Sequence, residues 1–180
     1  KNNVKFYLRP KKLGSSNTQS DEVVFDFLSN NKIDFLVWVN PISPLQTGFE
    51  IKKAVDFMIK NKFDTVITSK TEYFHSLYEN NPINFKINEK FAKTQDLIPI
   101  QSLVYSLMMW NSKSFLEAYN SKGFGMLSGK VGFFEVDKKS TIKLSYEEDL
   151  EFCEAFLQAS KFKKVRYDPI LEKYLSSNEK

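Results

Sequence analysis

Phe35-Leu36-Val37-Trp38-Val39 is an unbroken apolar run of strand length. Such a run suits a strand buried on both faces, as in a parallel sheet covered by helices. After a loop with two prolines, Thr47 and Glu50 have the spacing of a capping box, a hydroxyl followed three residues later by an acid. Ile51, Ala54, Val55, Met58 and Ile59 then fall at i, i+3, i+4, i+7 and i+8, one face of a helix. Asp64-Thr65-Val66-Ile67-Thr68 returns as a second strand. Strand, helix and strand with short links make a βαβ unit, which predicts parallel pairing and a right-handed crossover.

The rest of the chain continues the alternation. Lys5-Phe6-Tyr7-Leu8 reads as a short strand ended by Arg9-Pro10, followed by a polar loop over 14–20. Ser20 or Asp21 is placed to cap a helix running to about Ser29, with Val23, Val24, Phe27 and Leu28 on its buried side. Residues 69–99 lack a helical period and surround the turn Glu79-Asn80-Asn81-Pro82, which predicts a hairpin excursion from the α/β body. A strand over 103–110, a helix over 112–119, a strand over 131–136 and a helix from 146 to about 160 follow. No internal repeat or interdomain linker interrupts them.

Composition narrows the class. A chain of 180 residues with 42% hydrophobic and 27% charged side chains is globular and of a size for one domain. No apolar run approaches the roughly 20 residues that span a bilayer, and the start resembles no signal peptide. The single Cys153 cannot form an internal disulfide, so a cytoplasmic protein is expected. The net charge of +4 is spread over alternating lysines and acids. Lys161, Lys163, Lys164 and Arg166 are the densest basic cluster, but no nucleic-acid module accompanies them, and neither nucleic acid nor membrane is an expected partner.

Ligands in an open α/β sheet bind beyond the carboxyl ends of its strands. Asn40 to Pro44 begin where the first apolar strand ends, and Asn40 and Ser43 offer donors and acceptors there. His75, the only histidine, lies in an aromatic stretch and reads as a packing residue before a general base. Ser145 and Glu148 have capping-box spacing ahead of the last helix, whose first turn carries Glu147, Glu148 and Asp149.

Several fragments, in order, resemble the acylneuraminate cytidylyltransferases, the CMP-sialic acid synthetases. Tyr7-Leu8-Arg9-Pro10 is similar to that family's Phe-Leu-Arg-Pro, and Val39-Asn40-Pro41-Ile42-Ser43-Pro44-Leu45-Gln46 to its Leu-Gln-Pro-Thr-Ser-Pro-Leu-Arg. Thr94-Gln95-Asp96-Leu97-Ile98-Pro99 resembles Arg-Gln-Asp-Leu-x-Pro. Gly129-Lys130-Val131-Gly132-Phe133-Phe134 and Ile142-Lys143-Leu144-Ser145-Tyr146-Glu147-Glu148-Asp149-Leu150 complete the series, the latter resembling Ile-Asp-Ile-Asp-Thr-Glu-Glu-Asp-Leu.

The resemblance implies an α/β, three-layer αβα sandwich with a mostly parallel sheet, of the nucleotide-diphospho-sugar transferase type. It implies one domain over 1–180, with a dimerisation excursion over 69–99 and a C-terminal arm over 161–180. The activity implied is transfer of CMP from CTP to a nonulosonic acid with release of pyrophosphate, by a homodimer. Carried over, Arg9, Ser20, Asn40 and Ser43 would bind the nucleotide, and Lys93 and Gln95 the sugar. The family holds Mg2+ on two alternate aspartates, where this chain has Lys143 and Ser145. Asn40 stands for glutamine, Gln46 for arginine and Val104 for a polar sugar contact. The family's first strand and basic glycine-containing phosphate loop have no counterpart in these residues, and a sheet without them is expected to expose an unpaired edge. The alternative is a catalytically degenerate relative that binds a ligand or a protein.

Overall fold

Phe35–Val39 is indeed a strand, β1, but it lies at the edge of its sheet. The computed structural model describes residues 4–159, in which residues up to Lys143 form one unit and those from Leu144 onward a second. The first unit contains α1 (Ser20–Asn30), β1, α2 (Gly48–Asn61), β2 (Thr65–Glu72), β3 (Leu77–Tyr78), β4 (Asn81–Pro82), β5 (Ile100–Asn111), α3 (Ser112–Lys122) and β6 (Val131–Glu135). The second contains α4 (Glu147–Ala159). The basic cluster and the arm expected over 161–180 lie outside the described residues.

The main sheet has the order β1-β5-β2-β6. β1 and β2 each pair antiparallel with β5, and β6 pairs parallel with β2. Three strands therefore share a direction and β5 opposes them. The direct parallel pairing predicted for β1 and β2 does not form: they point the same way, but β5, at 12 residues, ladders with both. β1 is accordingly not buried on both faces. Phe35, Val37 and Val39 are 47%, 36% and 44% exposed.

Alternation along the strands separates two cores. Ile67, Met108 and Trp110 pack with Val24 and Leu28 of α1 and Phe115 of α3. Val66, Leu107 and Met109 pack on the other face with Ala54 and Met58 of α2. Helices thus cover both faces of a mixed, mostly parallel sheet, the expected three layers. Beyond β2 the chain makes the anticipated excursion. Leu77 pairs with Pro82 and Tyr78 with Asn81, while Glu79 and Asn80 take positive φ (47° and 64°) as a two-residue hairpin turn requires.

Three local expectations fail for lack of a local partner. Residues 5–8 pair with no strand; the Tyr7 hydroxyl instead donates to Asp26 Oδ2 (2.7 Å). Neither Ser20 nor Asp21 caps α1, which starts after Gln19; Asp21 Oδ1 accepts the amides of Gly125 (2.6 Å) and Met126 (3.0 Å). At α4 the acid that closes the start is Asp149 rather than Glu148, its Oδ2 accepting from Ser145 N (2.7 Å) and Tyr146 N (2.8 Å). Thr47, by contrast, caps α2 as read, accepting from Glu50 N at 3.3 Å.

Asp64 secures the amino ends of the strands. Its Oδ1 accepts from Ser114 Oγ (2.7 Å) and its Oδ2 from Lys130 N (2.8 Å). Gly129, at φ +64°, presses against it so closely that an added Cβ would lie 2.4 Å from Oδ2. The Lys130 amide bond, then the Ser114 hydroxyl, hold the Asp64 carboxyl below its ordinary value. A depressed carboxyl stabilises the fold above its unfolded value of about 3.9 and loses that contribution as pH falls through the lower folded value. Asp64→Asn should therefore flatten the loss of stability below about pH 4, measured by thermal unfolding against pH. Gly129→Ala should cost at least the roughly 1–2 kcal/mol of a left-handed non-glycine residue, read from urea unfolding.

Candidate functional site

The sheet is irregular at one place, and the candidate loop starts beside it. Ile67 pairs with Met108 and Ser69 with Leu103, so Thr68 alone faces Val104, Tyr105, Ser106 and Leu107. Thr68 and Ser106 are fully buried. The Thr68 oxygen accepts from Leu107 N (3.1 Å) and lies 3.1 Å from Ser106 Oγ, and its proton is directed at the carbonyls of Leu107 (2.9 Å) and Val104. Gln101 Nε2 donates to Ser69 Oγ (3.0 Å) just beyond the bulge. Bulges of this kind re-aim a strand and gather beside binding sites.

Asn40 leaves β1 at this bulge, its amide donating to Ser106 O at 2.9 Å. The Asn40 Oδ1 accepts from Ile42 N (3.3 Å), and Ser43 N donates to Asn40 O (3.1 Å). Asn40 and Ser43 thus shape a tight turn, with Ser43 only 6% exposed. The turn ends at Gln46, whose side-chain Oε1 and Nε2 are both shielded from solvent with no hydrogen-bond partner among the described residues. An amide in that state costs free energy, and a ligand able to donate and accept would complete it. Its position in the motif showed only that arginine was absent; its isolation is visible only in three dimensions.

Arg9 and Asn40 border the same strand. Arg9, Tyr7, Val23, Phe27, Leu36 and Trp38 line a cavity of about 210 Å3 with Val24. Ser20 lies in the first turn of α1 and does not line that cavity. Lys93 and Gln95 are exposed at the short turn Thr94–Asp96 in the excursion, near the start of β5. Val104 sits in the bulge. His75 stacks on Phe91 (centroids 3.8 Å apart) and meets Phe85 edge-on (5.0 Å), the packing role its surroundings suggested. Cys153 is 2% exposed, and burial, then the charge of Asp149, raises its thiol above the ordinary value, contrary to what a nucleophile needs.

The residues where the resemblance places magnesium do not fit it. Lys143 is an exposed ammonium, Ser145 a neutral hydroxyl, and the Asp149 carboxylate already accepts two backbone amides. Among the described residues no group of three histidine, cysteine or acidic side chains could hold a metal ion. No described helix is long and apolar enough to cross a membrane.

One further acid acts at this end of the sheet. Glu50, 4% exposed, accepts from Asp137 N (2.6 Å) through Oε1 and from Ser140 Oγ (2.5 Å) through Oε2. Instead of closing the capping box, it ties the first turn of α2 to the chain leaving β6.

No protein-family model and no curated protein sequence matches the chain. Solved structures do. The 4-diphosphocytidyl-2C-methyl-D-erythritol synthase of Anaerococcus prevotii is similar over 79% of this chain and 65% of its own, at 16% identity and a TM-score of 0.55. The 2-C-methyl-D-erythritol 4-phosphate cytidylyltransferase of Thermus thermophilus is similar over 84% of this chain and 78% of its own (10% identity, TM-score 0.51). That of Francisella tularensis covers 77% and 69% (13%, 0.50). The chain thus spans slightly under two thirds of the first of these enzymes. At such identities the likeness shows the fold alone, the nucleotide-diphospho-sugar transferase-like arrangement, and does not single out the acylneuraminate branch.

Removing the Glu50 carboxylate would leave the Asp137 amide and Ser140 hydroxyl without an acceptor. Glu50→Ala should destabilise the protein by about 3 kcal/mol. Glu50→Gln, which keeps one acceptor oxygen, should cost about half as much, both from the urea midpoint.

Proposed function

We propose that this chain belongs to a cytidylyltransferase, transferring CMP from CTP to a hydroxylated sugar-type acceptor. An acceptor oxygen attacks the α-phosphorus of CTP; its new P–O bond forms as the bond to the β-phosphate oxygen breaks, pyrophosphate leaves, and the acceptor's proton passes to solvent. The observation that carries the reading is the reversed, bulged β5, which opens the turn 40–46 at the carboxyl end of β1 in a fold shared with three cytidylyltransferases. Gln46 is the residue best suited to meet the nucleotide, because its shielded amide has a donor and an acceptor to offer. Arg9 supplies positive charge beside the same strand, and Asn40 and Ser43 hold the turn in shape. Ser20, Lys93 and Gln95 remain assigned from the motif resemblance alone.

The acceptor proposed on the motif series is a nonulosonic acid; methylerythritol phosphate, named for the similar enzymes, is its comparison. The reading assigns the chain no resident magnesium at 143 and 145, a cytoplasmic setting, and a homodimer formed through the hairpin of the excursion, whose Leu77, Tyr78 and Ile83 are exposed. Lys143, Ser145 and Val104 favour a second reading, a relative that binds the nucleotide without catalysis.

Incubation with CTP, Mg2+ and either acceptor should release pyrophosphate. Binding of CMP with no release from any acceptor would select the second reading, and no binding of CTP or CMP would remove both. Gln46→Ala should weaken CMP binding about tenfold, some 1.4 kcal/mol, by calorimetry. Light scattering should give twice the chain mass, and Tyr78→Glu should reduce it to one.

A further inference from the structure

A cavity at the carboxyl ends of β2 and β6 contains none of the residues assigned above to the nucleotide or the sugar. It measures about 500 Å3 and is lined by Lys70, Thr71, Glu72, Tyr73 and Phe74 from the end of β2 and the chain after it, and by Glu135, Val136, Lys138 and Thr141. We propose that this cavity binds a polyhydroxylated ligand, a sugar or sugar alcohol, through its facing carboxylates and ammonium groups and its two half-exposed aromatic rings.

Charge decides against the obvious alternative. Two lysines and two glutamates line the cavity, so their formal charges cancel. Lys70 is already paired with Glu72 at 2.9 Å, two residues away on the same strand face. The Glu135 and Lys138 side chains have no ion-pair or hydrogen-bond partner among the described residues. A triphosphate or inorganic phosphate placed here would meet two carboxylates as well as two ammonium groups. A hydroxyl suits the same walls because it both donates and accepts, bridging an acid to an amine.

The aromatic wall points the same way. Tyr73 and Phe74 are 54% and 45% exposed beside the polar groups. Rings held half-open next to hydrogen-bonding side chains match a ligand with one C–H face and a rim of hydroxyls. The volume lies within the usual range for small-molecule sites. Glu135 pairs with Ser69, one residue before Lys70, so the ends of β2 and β6 lie side by side at the cavity, and Glu50 fixes the turn that carries Lys138 and Thr141.

This deepens the proposed function by giving the acceptor its place, and it can be tested without CTP. Ribitol, N-acetylneuraminic acid and inorganic phosphate are titrated separately into 15N-labelled protein. A polyol should shift the amides of residues 70–74 and 135–141, and Glu135→Gln and Tyr73→Ala should each weaken that response about tenfold. Both side chains are exposed, and unchanged spectra elsewhere would show that the variants fold. Absence of a response to both polyols at millimolar concentration would overturn the proposal, as would an equal response to phosphate or variants that bind like the parent. CMP in the same sample reads the nucleotide proposal independently: shifts at 40–46 without any polyol response would sink this inference and spare that one, and the converse would spare this one alone.

Discussion

Thr68 pairs with Phe134 of β6 but has no regular partner on β5, and the arrangement of this end of the sheet follows from how its hydroxyl is satisfied. Four residues of β5 pass opposite this one position. Without hydrogen bonds, the displaced groups of Val104 to Leu107 would be buried polar atoms, each costing about 1–3 kcal/mol. The Thr68 oxygen takes up the Leu107 amide and lies against Ser106, while its proton serves the carbonyls nearby. A single buried hydroxyl thereby makes the bulge affordable, and with it the release of Ser106 O to receive Asn40 N from β1. Valine at position 68 would keep the shape and lose every one of these contacts.

β5 also explains why the chain reads more parallel than it is paired. Local sequence specifies that 35–39 and 65–68 are strands and that a helix joins them; it cannot say that a strand from residue 100 onward inserts between the two. The apolar run of β1 resembled a central strand because all five side chains are apolar. Burial depends on neighbours, however, and at the edge Phe35, Val37 and Val39 remain partly open. The resemblance to a known family led to the expectation of an unpaired edge, since the family's first strand was not among the fragments that matched.

The site was legible where its chemistry is local and illegible where it depends on distant partners. The turn from Asn40 could be placed from two prolines and the end of an apolar run. Thr47 could be read as a cap because its partner lies three residues away. Asp21, Asp64 and Glu50 read as ordinary helix or strand-edge acids, yet their hydrogen bonds span up to 105, 66 and 90 residues. Asp149 and Glu148 show the same limit at short range: both acids were available to α4, and geometry chose the one whose carboxylate reaches two amides.

Charge placement distinguishes two cavities within the first unit. The cavity at the ends of β2 and β6 is formally neutral, with two acids and two amines in its lining. Arg9 instead contributes an uncancelled charge to the lining of an otherwise apolar cavity beside β1. In water at ordinary ionic strength such charges are felt over about 8–10 Å, so a polyphosphate is favoured near the arginine and gains little at the neutral cavity. A nucleotide and a polyol would therefore sort to different places without either excluding the other. Lys143 and Ser145 offer no carboxylate pair through which a metal ion could counter phosphate charge, and the amides of Asn40, Ile42, Ser43 and Gln46 are already bonded within or beside the turn, so in the proposed reading that role would fall to Arg9.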